Sequence, residues 1–269
     1  MADPGFRILI APSERKAPGG TTPWSQVKAD PKVNRFAELA GERDRVATAL
    51  KQAITAKVRL ADLFDLKGKA LEKAIETNLD LANAPTMTAL ERYAGDMYAA
   101  IDPSSLPSDA VQLFKKAGLI VSGLLGIVTP GDLIPDYKLK IGAQLPDVGP
   151  LTRYWKGELA HLWIRELKGR GVLDLLPEEH AKTIAPPSGA IAWVQVKFGK
   201  TSGKGSKVRF TSITHGAKVL RGQLVRSVLE AGKFDPKGWS RKSPVPKFKV
   251  SKELSSYDGV SGEIVFVQG

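Results

Sequence analysis

The side chains best suited to chemistry stand at a predicted strand-to-helix corner, Lys207 to Arg226, KVRFTSITHGAKVLRGQLVR. Val208 and Phe210 alternate with Arg209 and Thr211, as in a half-buried strand. Thr214-His215-Gly216 breaks the alternation. From Ala217 the apolar residues follow a helix, with Leu220, Leu224 and Val228 four apart on one face. Lys218 and Arg221 share the neighbouring stripe with Gly222, which has no side chain to hold a ligand away. His215 suits acid–base work, since the ordinary pKa of histidine lies near neutrality. Two cations at a helix start suit an anion, together with free backbone N–H groups. A corner with a solvated basic face is the plain alternative.

Three other stretches carry polar groups in places where loops leave regular elements. Phe6 to Ala11 reads as a buried strand, and Pro12-Ser13-Glu14-Arg15-Lys16 follows it. Ser13 and Lys16 can contact an anion, and Glu14 can act as a base or hold a cation. Gly123 and Gly126 punctuate the apolar run from Ala117 to Val128, where Ser122–Gly126 reads as a tight turn offering backbone N–H groups to a phosphate. On the helix predicted over Leu151–Leu167, Arg153 and Lys156 project together, while Trp155 and Trp163 read as core and His161 as a partly buried, satisfied histidine.

The elements that must position these groups alternate along the chain. Helical spacing covers Lys32 to Lys57, parts of Asp62 to Asn83, Ala89 to Ala100 with a break at Gly95-Asp96, and Asp109 to Lys116. Short strands are expected at Leu119–Val121, Gly171–Leu175 and Gly262–Val267. Trp193–Phe198 and Lys207–Thr214 form a predicted hairpin. Ala17 to Pro31 reads as an exposed loop, and Gly238 to Pro246 as a basic linker. Strands at both ends of the chain, interleaved with helices, predict one compact α/β or α+β domain over residues 1–269 with a mixed sheet.

The totals narrow the function classes. A chain of 269 residues with 42% hydrophobic residues can bury a real core. Without cysteine there are no disulfides, thiolate nucleophiles or thiolate-bound metals. The histidines are His161, His180 and His215, with no closely spaced pair, so no metal site is predicted and no ligand cluster supports iron. No apolar run is long enough to span a membrane and no signal pattern opens the chain, so the expectation is a soluble cytoplasmic protein. The net charge is +12. Residues 197–252 hold 15 Lys or Arg against two acids, so the whole excess sits in one C-terminal block. Such a block is a footprint for a polyanion, and without a long amphipathic helix it favours nucleic acid or a phosphorylated small molecule over a membrane.

In order along the chain, five blocks resemble the YaaA family of peroxide-stress proteins. They are Pro12-Ser13-Glu14-x-Lys16, then Tyr93-x-Gly95-Asp96-x-Tyr98. Next comes Ser122–Gly126 with Pro130, Asp132, Pro135, Tyr137-Lys138-Leu139 and Gly142. Tyr154-Trp155-Lys156 follows, and last Thr214-His215-x-x-Lys218-x-x-Arg221-Gly222 with Arg226. The resemblance implies a compact fold with a positively charged cleft, a helix-hairpin-helix-like element near the third block, DNA binding, and a role in limiting oxidative damage. Two positions depart from the family pattern: Ala94 and Thr129 stand where basic residues are expected. On a DNA-binding reading, Lys138, Arg153, Lys156, Lys218, Arg221 and Arg226 neutralise phosphates of duplex or structured DNA, and Gly123 and Gly126 offer donors. On an enzymatic reading, the partner is a nucleobase, nucleotide or related small anion. His215 is then the acid–base group, Glu14 or Asp96 assists it, and Ser13, Lys16 and Lys218 bind the anion. An interaction protein with an incidental basic tail is the third alternative. No cofactor is identified by the sequence.

Overall fold

The computed structural model describes residues 3–184, 189–202, 209–213 and 216–269. At its centre lies the strand Phe6–Ile10, buried along its whole length. It runs parallel to Gly118–Ser122 on one side and to Gly171–Asp174 on the other. Ala192–Ser202 lies beyond Gly171–Asp174, and Ser261–Gln268 beyond that, both again parallel. Numbered by chain order, the five parallel strands therefore stand second, first, third, fourth, fifth across the sheet. Antiparallel partners extend it into a mixed sheet: Gly126–Val128 and Phe248–Val250 at the two ends, and Arg209–Ser212 on the far half of Ala192–Ser202. The predicted hairpin is present, and residues 203–208 of its loop lie outside the described residues.

Helices cover both faces. Side chains alternate along a strand, and Phe6 stacks on Phe234, just beyond the helix Ala217–Ala231, with ring centroids 5.9 Å apart. Arg7 points the other way, toward the helix Ala160–Leu167, where its Nε donates to Glu166 at 3.2 Å. Both groups are almost fully buried. Glu166 also accepts from Arg35 and Arg165, while Arg7 and Arg170 both donate to Asp3. The two arginines hold the Asp3 carboxyl well below its usual range. This network joins the amino end of the sheet to the helix layer and to the segment carrying Arg35.

Several expectations change once the chain is packed. Gly222 serves helix contact rather than ligand access: a Cβ there would collide with the Met97 carbonyl and lie 2.7 Å from the Ala100 Cβ of the helix Asp96–Ile101. The third block is a β-hairpin, Gly118–Ser122 with Gly126–Val128, followed by a short strand at Leu133–Pro135. Its apolar residues are buried without interruption, which suits strands covered on both faces. Ala17–Pro31 is not simply an exposed loop: Thr22–Pro23 pairs with Pro85–Thr88, and Trp24 anchors the helix Trp24–Val27 in the core. The long helix divides at Leu159 into Leu151–Glu158 and Ala160–Leu167, yet Leu151, Trp155, Leu159 and Leu162 stay fully buried as expected. His161 is exposed. Among the described residues no helix is long and apolar enough to cross a membrane.

Replacing Glu166 by Ala leaves the buried Arg7 guanidinium without its buried acid, with only the exposed Asp3 as an acidic partner. Unfolding by urea is expected to show a loss of about 3–5 kcal/mol, and a loss below about 1 kcal/mol would contradict this account of the network.

Candidate functional site at the sheet reversal

The chain leaves Phe6–Ile10 toward one edge of the sheet and later returns to its other side. Such reversals open a crevice at the carboxyl ends of the two strands concerned. Here these are Phe6–Ile10 and Gly171–Asp174, which stay paired as far as Leu175 N–H donating to Leu9 O at 3.0 Å. A cleft of about 730 Å³ opens there. Its walls come from residues 11–16, 64–66, 95–98, 137–141, 175–180 and the first turns of Ala217–Ala231.

The loop after the first strand is held by backbone bonds. Ala17 N–H donates to Arg92 O at 2.8 Å and Ala94 N–H to Arg15 O at 3.0 Å. Buried Arg92 fastens the same loop through the carbonyls of Ala17, Gly19 and Pro85, at 2.6–2.9 Å. Gly95 lets the two segments close, because a Cβ at that position would strike the Ser13 hydroxyl.

Lys16 is directed inward by this loop. Its Nζ donates to Ser13 O at 3.1 Å and lies 4.0 Å from the Tyr137 ring centroid. Burial pulls its amine down to about 7, with Asp136 opposing the shift and Lys138 adding to it. Behind it runs a hydroxyl chain: Ser122 Oγ to Tyr137 OH at 2.7 Å, and Tyr137 OH to Tyr93 OH at 2.9 Å. Burial pushes the Tyr137 phenol up to about 12, so the chain is protonated at neutral pH.

Six cations and four carboxylates line the cleft among the described residues. Three of the acids are paired: Glu14 with Lys138 at 2.9 Å, Asp65 with Lys140 at 3.6 Å, and Asp96 with Arg15 at 3.9 Å. The bond from Lys138 holds the Glu14 carboxyl below its usual range. Lys16, Lys218 and Arg221 make no ion pair among the described residues. Burial pulls the Arg221 guanidinium down while Asp174 opposes the shift, and its buried Nε has no hydrogen-bond partner among the described residues. Asp174 is engaged elsewhere, accepting from Leu176 N–H, Gln195 and Trp193 at 3.1–3.3 Å. His180 also faces the cleft. Burial lowers its imidazole to about 4, and its Nδ1 has no hydrogen-bond partner among the described residues. Among the described residues, no three His, Asp or Glu side chains are grouped to hold a metal.

Ser13, Glu14, Lys16, Asp96, Gly123, Lys138, Lys218 and Arg221 thus come together from four distant parts of the chain. Other candidates lie apart. Gly126 lies against Trp155, whose ring would be 2.6 Å from a Cβ there, and its φ of +68° suits glycine. Arg153 and Lys156 are exposed and not among the cleft walls. Arg226 joins Ile101 O, Ser105 Oγ and Glu230 at 2.9 Å, fastening one helix to the next. His215 lies outside the described residues. Sequence reasoning missed His180, Glu179, Lys140 and Asp65 as wall residues. For His180 a signal was present, since it closely follows a predicted strand end.

The sequence matches the family model described as peroxide stress protein YaaA over residues 6–252. It is 30% identical over 242 residues to a UPF0246 protein of Streptomyces coelicolor, covering 84% of this chain and 83% of that one. A UPF0246 protein of Rhizorhabdus wittichii is 28% identical over 238 residues, covering 86% and 89%. One from Rickettsia bellii is 25% identical over 215 residues, covering 79% and 83%.

The buried imidazole makes stability depend on pH. Folded His180 stays neutral down to about pH 4, whereas its ordinary value is 6.5. The unfolded state therefore binds more protons across that window, and stability falls as pH drops through it. The unfolding free energy of the wild type minus that of His180→Gln is expected to decrease by about 3 kcal/mol between pH 7 and pH 4. A difference that stays flat with pH would show that His180 is not buried as a neutral group.

Proposed function

The chain belongs to the family of the peroxide stress protein YaaA, and on that premise we propose that it protects DNA by holding it at this cleft, through phosphates and largely without regard to sequence. The observation that carries this reading is the charge balance of the walls. Glu14, Asp65 and Asp96 are each neutralised by a neighbour, while Lys16, Lys218 and Arg221 make no ion pair among the described residues. A concave site with surplus fixed cations attracts an anion strongly, because its low-dielectric walls focus the field. Phosphate contacts position a nucleic acid without reading its bases. Lys218 and Arg221 also come from the segment that holds the chain's whole charge excess.

A second reading is favoured by the cleft's size and concavity. About 730 Å³ matches a small ligand better than the width of a duplex. An enzyme acting on a nucleobase, nucleotide or related small anion would use the same cations, with His215 as the acid–base group first suggested by sequence and His180 as a neutral imidazole already in the wall.

Labelled duplex, gapped and single-stranded DNA, titrated at several salt concentrations, tests the first reading. The double variant Lys218→Ala/Arg221→Ala is expected to bind duplex at least tenfold more weakly at low salt. Its log–log salt slope should be less steep by about 2, near 0.9 for each phosphate left without its cation. Equal affinity and equal slope in the two proteins would sink the proposal, and screening of nucleotides and modified bases would then follow.

A further inference from the structure

Lys16 is placed as few structural lysines are. A lysine that only covers apolar surface lets its ammonium reach water, and one that is buried for stability is paired with an acid. Lys16 does neither. Its Nζ lies 4.0 Å from the Tyr137 ring centroid and 5.7 Å from that of Tyr93, bonded to the Ser13 carbonyl, with no carboxylate at ion-pair distance among the described residues. The side chain nevertheless borders the cleft shared with Lys218 and Arg221.

We propose that Lys16 is a nucleophile that forms a Schiff base with an aldehyde carried next to a phosphate. The proposal rests on the reading that this cleft binds phosphate, and it names the chemistry done there. Amines held in desolvated sites or beside other cations are the ones that attack carbonyls, because a useful fraction is neutral at physiological pH. Burial and the nearby Lys138 place Lys16 in that condition. Lys218 and Arg221 supply the anion anchor, so the carbonyl must belong to a phosphorylated molecule. In the reaction the Nζ lone pair forms a C–N bond to the aldehyde carbon, and the carbonyl oxygen takes one proton from Nζ and a second from solvent. The C–O bond then breaks, water leaves, and a C=N bond remains. No oxidant or reductant takes part.

Two sources offer this chemistry: the ring-opened sugar of an abasic nucleotide within DNA, and a free aldose phosphate. Full-length protein is incubated with a duplex carrying one abasic site, with an intact duplex, or with ribose 5-phosphate. Sodium cyanoborohydride is added to reduce any imine to a stable amine, and mass spectrometry maps the adduct to a residue. Binding of the wild type to the abasic duplex is measured in parallel without reductant. The expected result is an adduct on Lys16 from at least one aldehyde source, none from the intact duplex, and at least a tenfold loss of adduct in Lys16→Arg. Mapping on the wild type keeps the test independent of how the variant folds. An adduct from the abasic duplex alone identifies DNA as the source, and one from ribose 5-phosphate alone identifies a small substrate. No adduct from either, or adducts spread over surface lysines and undiminished in Lys16→Arg, overturns the proposal. If DNA binds and neither aldehyde source gives an adduct, only this inference fails. If ribose 5-phosphate labels Lys16 and DNA does not bind, the DNA reading fails and the inference stands.

Discussion

Phe6–Ile10 is paired in parallel along both of its edges, and the remainder of the molecule is arranged by that constraint. A strand buried on both faces and bonded on both sides cannot slip, because a one-residue shift would exchange Phe6 and Ile8 with Arg7 and Leu9. Its carboxyl end is therefore fixed next to the end of Gly171–Asp174. The loops leaving these two ends form two walls of the cleft. The helix Ala217–Ala231 supplies a third, held by the close contact of Gly222 with the helix Asp96–Ile101.

Two ways of burying charge stand in contrast on this sheet. At its amino end Arg7 and Glu166 are buried as a pair, with the exposed Asp3 and Arg35 as further opposite partners. At its carboxyl end Lys16 and Arg221 are half-buried without an ion-pair partner among the described residues. Desolvation opposes both charges, and the fold offers an aromatic face, one carbonyl and the distant attraction of Asp136 and Asp174 in return. An arrangement of this kind lowers stability at a site prepared for a ligand. The contrast separates the ion-paired end of the sheet from the end that carries the candidate cleft.

The division between what was legible and what was not follows particular residues. The buried opening strand, the closing strand, the hairpin of Ala192–Ser202 with Arg209–Ser212 and the inner face Leu151, Trp155, Leu159, Leu162 were readable because each is a local pattern of period two or near four. Ser13, Glu14, Lys16, Asp96, Lys138, Lys218 and Arg221 were readable as polar groups at loop positions in ordered family blocks. Gly222 and Gly126 were misread for one reason: a missing side chain signals close approach without saying what approaches. In both cases it is the protein's own packing, on Met97 and on Trp155.

By itself the sequence determined the mixed α/β class, the family, the charge excess of residues 197–252 and most of the polar groups now found in one cleft. These depend on residue type and on neighbours within a turn or two of chain. Only the tertiary structure decided which cations make no ion pair. Lys138 is neutralised by Glu14, which lies 124 residues away, whereas Lys16, close to Glu14 in sequence, forms an ion pair with no carboxylate among the described residues. Pairing depends on distances of a few ångströms across the sheet reversal, and those distances are set by strand order rather than by spacing along the chain.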